Sequence, residues 1–328
     1  MAGWVCDLCR ARGIEIQVAN ANGEGWRWRN VKNKCDRKDV EKLARMSAMN
    51  DLKLVHIPDR PTRHWRSLIL YRHKLIERQT AIKNSIHALL VSEGRAMRGR
   101  DAWTAQSLST LRQLARPLEQ CASKQDLWAA HLWMELASLD QVMEQIQTLD
   151  QKLNELGEAD ERVRRLRTAP GIGPRLSELV VAILDDPHRF RSGRQVGAYV
   201  GLTPRRYQSG QTDRSGRISK AGCGKLRKVL LQVAWGMLQH NAHGRAVFQR
   251  ISKGQKTRRK QAAVALARRV LVWCWAMLRD GSDWRGPADR KATTSSAAET
   301  GTTVAAPSPG RRRPATASGR QATRSRVT

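Results

Sequence analysis

Chemistry in this chain has to come from a small set of residues. Ser209 precedes Gly210 in the run Gly201-Leu-Thr-Pro-Arg-Arg-Tyr-Gln-Ser-Gly210, with Arg205, Arg206, Arg214, Arg217 and Lys220 nearby in sequence. A hydroxyl beside a glycine and among guanidinium groups has what attack on a phosphodiester requires. It offers a nucleophile, little steric bulk, and cations to stabilise charge on pentacovalent phosphorus. The same pattern also describes a turn that only grips a phosphate, and spacing leaves both open. Asp36 and Asp39 form a D-x-x-D pair at the head of a helical pattern. Spacing of i, i+3 puts both carboxylates on one face, close enough to share Mg²⁺ or a similar divalent cation. An Asp N-cap followed by a second acid is the plain alternative. Pro170-Gly-Ile-Gly-Pro174 lies between a basic and an apolar helical pattern. Without a Cβ, Gly171 and Gly173 allow bare backbone N–H groups to approach a phosphate, with Arg175 flanking them. A simple Gly/Pro connector fits the same residues. Cys6-x-x-Cys9 has no second Cys or His pair at zinc spacing and reads as packing.

The charge balance selects the partner. Among 328 residues, 60 Lys and Arg stand against 29 Asp and Glu, a formal +31. Such an excess repels itself unless a polyanion offsets it, and DNA or RNA is the usual one. Residues 287–328 hold only +6 of it, so the body of the protein is basic. With three Tyr and two Phe, a sheet platform that stacks single-stranded bases loses ground. A hydrophobic fraction of 40% supports a core, and no apolar run suggests a membrane span. No secretory signal is visible at Met1, and six scattered Cys fit reduced thiols. The expected location is the cytoplasm.

The elements that must position these residues change character along the chain. Ile14, Ile16 and Val18 read as a strand closed by Asn20-Ala-Asn-Gly23, and Leu52, Leu54, Val55 and Ile57 as a second strand stopped by Pro58. Val40, Leu43 and Ala44 give a helix between them. Residues 1–62 are thus an α/β fragment. Leu68, Leu75, Ile82 and Leu89 recur every seven residues, and so do Leu132, Leu139, Ile146 and Leu153, flanked by Leu136, Met143 and Leu149. This predicts a coiled-coil hairpin or dimerising arm over 63–158. A mainly α domain with a helix-hairpin-helix element follows over 159–285. Residues 286–328, rich in Ala, Thr, Ser, Pro, Gly and Arg, read as a disordered basic tail.

Taken together the motifs resemble one family. Thr168-Ala-Pro-Gly-Ile-Gly-Pro174, Asp186-Pro-His-Arg-Phe190, Gly197-Ala-Tyr-Val-Gly201 running on to Ser209-Gly210, Arg217-Ile-Ser-Lys-Ala-Gly222 and Lys225-Leu-Arg-Lys-Val-Leu230 are similar, in order, to the C-terminal domain of the insertion-sequence one-ten family. These are DEDD transposases related to Piv-type DNA invertases. Upstream, Ala2-Gly-Trp-Val-Cys6, Ile16-Gln-Val-Ala-Asn20 and Asn33-Lys-Cys-Asp-Arg-Lys-Asp39 resemble the second half of that family's RuvC-like domain, of the RNase H class. The resemblance implies that Asp36 and Asp39 are the last two of four metal-binding carboxylates. It implies that Ser209 is a nucleophile forming a phosphoserine link to DNA, in DNA transposition and recombination. It further implies homo-oligomers, in some members around a structured guide RNA. The family's first Asp and its Glu have no match here, and Asp7 cannot replace them. The chain therefore reads as an N-terminally truncated copy, through a start codon placed late or a true truncation, and a non-catalytic DNA- or RNA-binding remnant is the alternative. Ser215 and Ser219 read as loop-forming and helix-capping hydroxyls, and no His or carboxylate adjoins Ser209 in sequence as its base.

Overall fold

A computed structural model describes residues 2–20, 35–95 and 100–285. The proposed turn at residues 21–23 and the tail from 286 lie outside the described residues. Helix α1 (Ala2–Ala11) opens the chain. The two strands expected after it do not form a sheet. Residues 14–19 and 52–57 meet at one isolated antiparallel bridge, Ala19 to Leu54. Its hydrogen bonds run from Asn20 N to the Lys53 carbonyl (2.8 Å) and from Val55 N to the Val18 carbonyl (2.7 Å). With no further strand beside it among the described residues, the bridge leaves Ile14, Leu54 and Val55 exposed. Helix α2 (Asp36–Ala48) buries none of its residues. Its N-cap is Cys35, so Asp36 stands at the first helical position and is not the cap. Both acids still face the positive end of the helix dipole, which favours them there.

The period-seven residues build an antiparallel pair. Helices α3 (Arg60–Ser92) and α5 (Leu127–Ala159) are each 33 residues long. Arg72 meets Asp150, and Ser85 meets Glu135, which fixes the opposed directions. Asp59 caps α3 by accepting from Thr62 N at 3.0 Å. Leu75, Ile82, Ile86 and Leu90 pack on Leu132, Leu136, Leu139 and Val142, and Leu111 of α4 (Ala105–Leu114) closes the far end. Burial of each of these side chains is worth roughly 1.5–3 kcal/mol, as an upper estimate. Met143, expected in the seam, is exposed, and its neighbour Val142 takes the buried position.

Short α6 (Glu161–Arg167) leads into α7 (Pro174–Leu184), which is buried on all sides from Leu176 onward. Around it stand α8 (Gly193–Val200), α9 (Gly224–His240), α10 (Ala242–Ser252) and α11 (Arg259–Asp280). Their core includes Leu179, Leu226, Leu230, Leu266, Val270 and Cys274, and Ile69 and Leu153 bring the base of the arm into it. Residues 256–280 are long and apolar enough to cross a membrane by length and composition, contrary to expectation. Their apolar residues fill this core instead, and Arg268 and Arg269 stand midway along α11. The motif Asp186-Pro-His-Arg-Phe190 proves to be packing. Phe190 is buried with its ring 5.3 Å from Tyr199, and Trp275 Nε1 donates to the Pro187 carbonyl. All six thiols are free, with Cys6 and Cys274 buried.

Between α8 and α9 the chain forms the one regular sheet among the described residues. Strands β1 (Pro204–Ser209) and β2 (Thr212–Ile218) pair antiparallel.

Candidate functional site

The segment around Ser209 forms this hairpin. Its loop has two residues, Gly210 and Gln211, with Gly210 at φ +53. Glycine at the first of two loop positions is what a primed turn requires, because the strand twist demands positive φ there. Ser209 is the last residue of β1, paired with Thr212, and the whole strand is exposed. Its hydroxyl has no hydrogen-bond partner among the described residues.

Register sorts the basic residues that sequence could only group. Arg206 pairs with Ser215, Tyr207 with Arg214, Gln208 with Asp213 and Ser209 with Thr212. Side chains alternate between faces, so Ser209, Tyr207, Thr212 and Arg214 share one face. Arg206 lies on the other, where it chelates Asp213 through two bonds of 2.9 and 2.6 Å. The guanidinium holds the Asp213 carboxyl below the usual carboxylate range. Arg206 therefore does not serve Ser209, whereas Arg214 sits diagonally across from it. Asp213 as the counter-ion was missed, because nothing in the sequence predicts this register.

At the base, register slips by one residue between Pro204 and Arg206. The extra residue lies on β2, at Gly216 and Arg217, and turns Arg217 toward α11. Lys220 follows at φ +56, past the end of β2. Arg205 reaches the Ser219 carbonyl at 3.4 Å. Ser219 is not a helix cap: its N–H donates to the Thr203 carbonyl (2.8 Å), and Cys223 is the N-cap of α9. Ser215, expected in a loop, belongs to β2. Two glycines pin the base. A Cβ on Gly201 would lie 2.3 Å from the Ala221 carbonyl oxygen, and one on Gly222 would lie 2.1 Å from that of Tyr199. Arg227 donates to the Val200 carbonyl at 2.9 Å and to that of Gly222 at 3.3 Å, cross-tying both chains.

Residues 168–173 join α6 to α7 as expected. Gly171 has φ +83 and faces Met237, while Gly173 is the N-cap of α7 and opens onto empty space. No side chain caps this helix start, and Pro174 at its first turn lacks an N–H. Arg175, expected to reach a phosphate, is committed elsewhere. It donates to Glu178 Oε2 (3.0 Å), to the Asp150 carbonyl (3.2 Å) and to Asn154. Arg72 adds a bidentate bond to Asp150. Glu178 is fully buried and its Oε1 has no partner. Burial pushes its pKa up to about 7, against the opposing pull of Arg175. Sequence reasoning missed Glu178, whose only signal was a lone acid inside the apolar run Leu176–Leu184.

Of the two carboxylates on α2, Asp36 is exposed and Asp39 half-buried. One oxygen of Asp39, Oδ1, is enclosed without a hydrogen-bond partner. An enclosed, unpaired carboxylate oxygen one turn from a second carboxylate suits a divalent cation. Among the described residues, however, no group of three or more His, Cys, Asp or Glu comes together. The pair fits as part of a carboxylate set and not as a whole one.

These motifs coincide with a family match. The profile described as Transposase IS116/IS110/IS902 family matches residues 163–249, from α6 through the hairpin into α10. The protein y4pF/y4sB of Sinorhizobium fredii is 31% identical over 80% of this chain and 66% of its own length. The chain belongs to the IS116/IS110/IS902 transposase family. The transposase for insertion sequence element IS1111A of Coxiella burnetii is 28% identical over 77% of this chain and 69% of that protein. The transposase for element IS1328 of Yersinia enterocolitica is 27% identical over 76% and 73%. The chain thus spans about two thirds of the length of these relatives, and its family role is that of an insertion-sequence transposase.

Proposed function

We propose that this family member breaks and rejoins DNA in transposition, with Ser209 as the nucleophile. The observation that carries the reading is the placement of Ser209 at the tip of an exposed hairpin, on the same face as Arg214. A phosphodiester laid against that face meets an unhindered hydroxyl and a guanidinium without a competing carboxylate. In the step, Ser209 Oγ forms a bond to phosphorus and one bond from phosphorus to a deoxyribose oxygen breaks. The departing sugar oxygen takes up a proton, and the seryl proton passes to solvent. Charge on the phosphoryl oxygens is then met by Arg214. Arg205 and the backbone N–H groups around Gly171 and Gly173 hold neighbouring phosphates, and Arg217 and Lys220 extend the positive surface at the base.

A Mg²⁺ ion would be held here by Asp36 and Asp39 together with further carboxylates. When bound, it supplies Lewis-acid stabilisation of phosphoryl charge. The two Asp residues contribute negative charge at one helix face, and the half-burial of Asp39 keeps its free oxygen shielded. The absence of a third ligand among the described residues favours a second reading, in which the chain binds nucleic acid without chemistry.

One assay separates the two readings. The chain is incubated with duplexes bearing insertion-sequence ends and denatured, and protein–DNA adducts are counted. The expected result is an adduct that Ser209→Ala abolishes while Ser219→Ala retains it, with DNA affinity near normal in both. An adduct that survives Ser209→Ala overturns the nucleophile assignment. Binding without any adduct supports the second reading.

A further inference from the structure

The hairpin face that bears Ser209 also carries one aromatic ring, which the serine chemistry leaves unused. Tyr207 lies two residues before Ser209 on β1 and pairs directly across from Arg214. It is 57% exposed, against 48% for Tyr71 and 38% for Tyr199. Aromatic residues on a strand gain most by packing on cross-strand side chains. Here the diagonal neighbour is Gly216, which has none. A Cβ on Gly216 would lie 3.1 Å from Tyr207 Cε2, so the ring rests on bare backbone of β2. No second ring stacks on Tyr207 among the described residues. The ring is backed by main chain and otherwise open to solvent.

The rest of this face identifies what the open ring can take. From the tip toward the base stand Ser209 beside Thr212, then Tyr207 beside Arg214, then Gly216. Alternation puts Arg205 on the same face, one step nearer the base than Tyr207. Hydroxyl, ring and cation thus follow one another at steps of about 7 Å. Asp213 lies on the opposite face, bonded to Arg206. A phosphate between Ser209 and Arg214 leaves its neighbouring nucleoside over Tyr207, with the following phosphate toward Arg205. Within a duplex a base is already stacked on both sides. An exposed ring therefore gains only from a base that has left the stack. One ring is no platform for a run of bases, and it seats a single one.

We infer that Tyr207 stacks on one unpaired base beside the phosphate that Ser209 attacks, and so selects DNA that is opened at that step. The inference rests on the serine reading for the identity of that phosphate, and adds the state of the DNA around it. Gly216 keeps the ring in place, since a side chain there would displace it.

The test titrates the full chain with duplexes bearing insertion-sequence ends, either fully paired or with one mismatch moved stepwise along the end. One mismatch position should bind about tenfold more tightly than the paired duplex, the gain expected of a single base–ring stack. Tyr207→Phe should keep that preference and Tyr207→Leu should abolish it, while both bind the paired duplex like the parent. A ring laid on a cross-strand glycine is also a packing device. Leucine covers Gly216 too, so packing alone would leave the mismatch preference unmoved. A preference that survives Tyr207→Leu overturns the inference. So does a parent chain that ignores every mismatch, or a leucine variant that weakens all duplexes alike. The serine reading is judged separately, by the covalent adduct. Ser209→Ala should lose the adduct and keep the mismatch preference, and an adduct that survives it refutes the serine alone.

Discussion

The two regions that carry the candidate chemistry are built very differently. The hairpin rises from a helical core in which α7 is buried from Leu176 onward, and its base is fixed by Gly201, Gly222 and Arg227. The carboxylate pair sits on α2, a helix that buries nothing, beside a single β-bridge and near exposed Val40, Leu43 and Val55. One side chain is thus held on a pinned support, and the other two on a surface that the described residues do not cover. The N-terminal region is tied down by single polar contacts instead. His56 Nε2 lies 2.6 Å from Asp185 Oδ2, and Asp7 pairs with Arg63. Rigidity in this protein follows burial. A functional group can be legible in sequence and still lack the packing that would fix it.

The sharpest way to break that contrast is at the glycines. Gly222→Ala places a methyl group against the Tyr199 carbonyl at positive φ, and should cost at least about 3 kcal/mol, read as a lowered midpoint in urea. Gly13→Ala, also at positive φ but with open space around it, should cost about 1 kcal/mol. Equal costs would show that the hairpin base is no more fixed than the N-terminal segment.

Glu178 gives the next effect. Its folded pKa of about 7 lies above its ordinary value of 4.5, so the folded chain binds the proton more tightly than the unfolded one. Its ionised form therefore costs nothing below about pH 4.5, a growing amount between 4.5 and 7, and its full amount above that. Glu178→Gln should be more stable than the parent at pH 8, by up to about 3 kcal/mol, with the gain fading toward pH 5. Thermal melts at the two pH values decide it, and a gain independent of pH would refute the assignment.

On the hairpin, Arg214→Ala should lower duplex affinity several-fold and reduce the slope of log affinity against log salt by about one. Arg206→Ala should change that slope by less, because Asp213 already offsets its charge. The smallest effect is expected at the uncovered surface. Val40→Lys, at 65% exposed, should alter the stability of this chain by no more than about 0.5 kcal/mol in a urea titration.

Legibility followed local pattern. Spacing alone gave the arm, since a period of seven reports burial directly, and Leu75, Ile82, Leu132 and Leu139 are all buried. The Gly-x-Gly connection ahead of α7 was equally plain. Strands at 14–18 and 52–57 were predicted from alternation, but alternation needs partner strands to become a sheet, and here it ends as one bridge. Among the site residues, composition grouped Arg205, Arg206, Arg214, Arg217 and Lys220 around Ser209 without sorting them by face. The separation of Arg214 from Arg206 follows from cross-strand register. The diversion of Arg175 follows from α5 lying beside α7, a contact between residues far apart in sequence. Neither is a local property.

The burial of Cys274 has a consequence for how this molecule can be watched. Its thiol is enclosed by the C-terminal helices and pushed up to about 12 by that burial. Burial keeps this thiol protonated at pH 8, and the surrounding side chains exclude reagent from it. Alkylation at this position therefore waits for the core to open, so its rate counts openings. Exposed Cys35, just ahead of the carboxylate pair, has no such barrier and should react at once. A single time course with a thiol reagent and peptide mass analysis would then clock both regions of the unmodified chain, with no probe introduced.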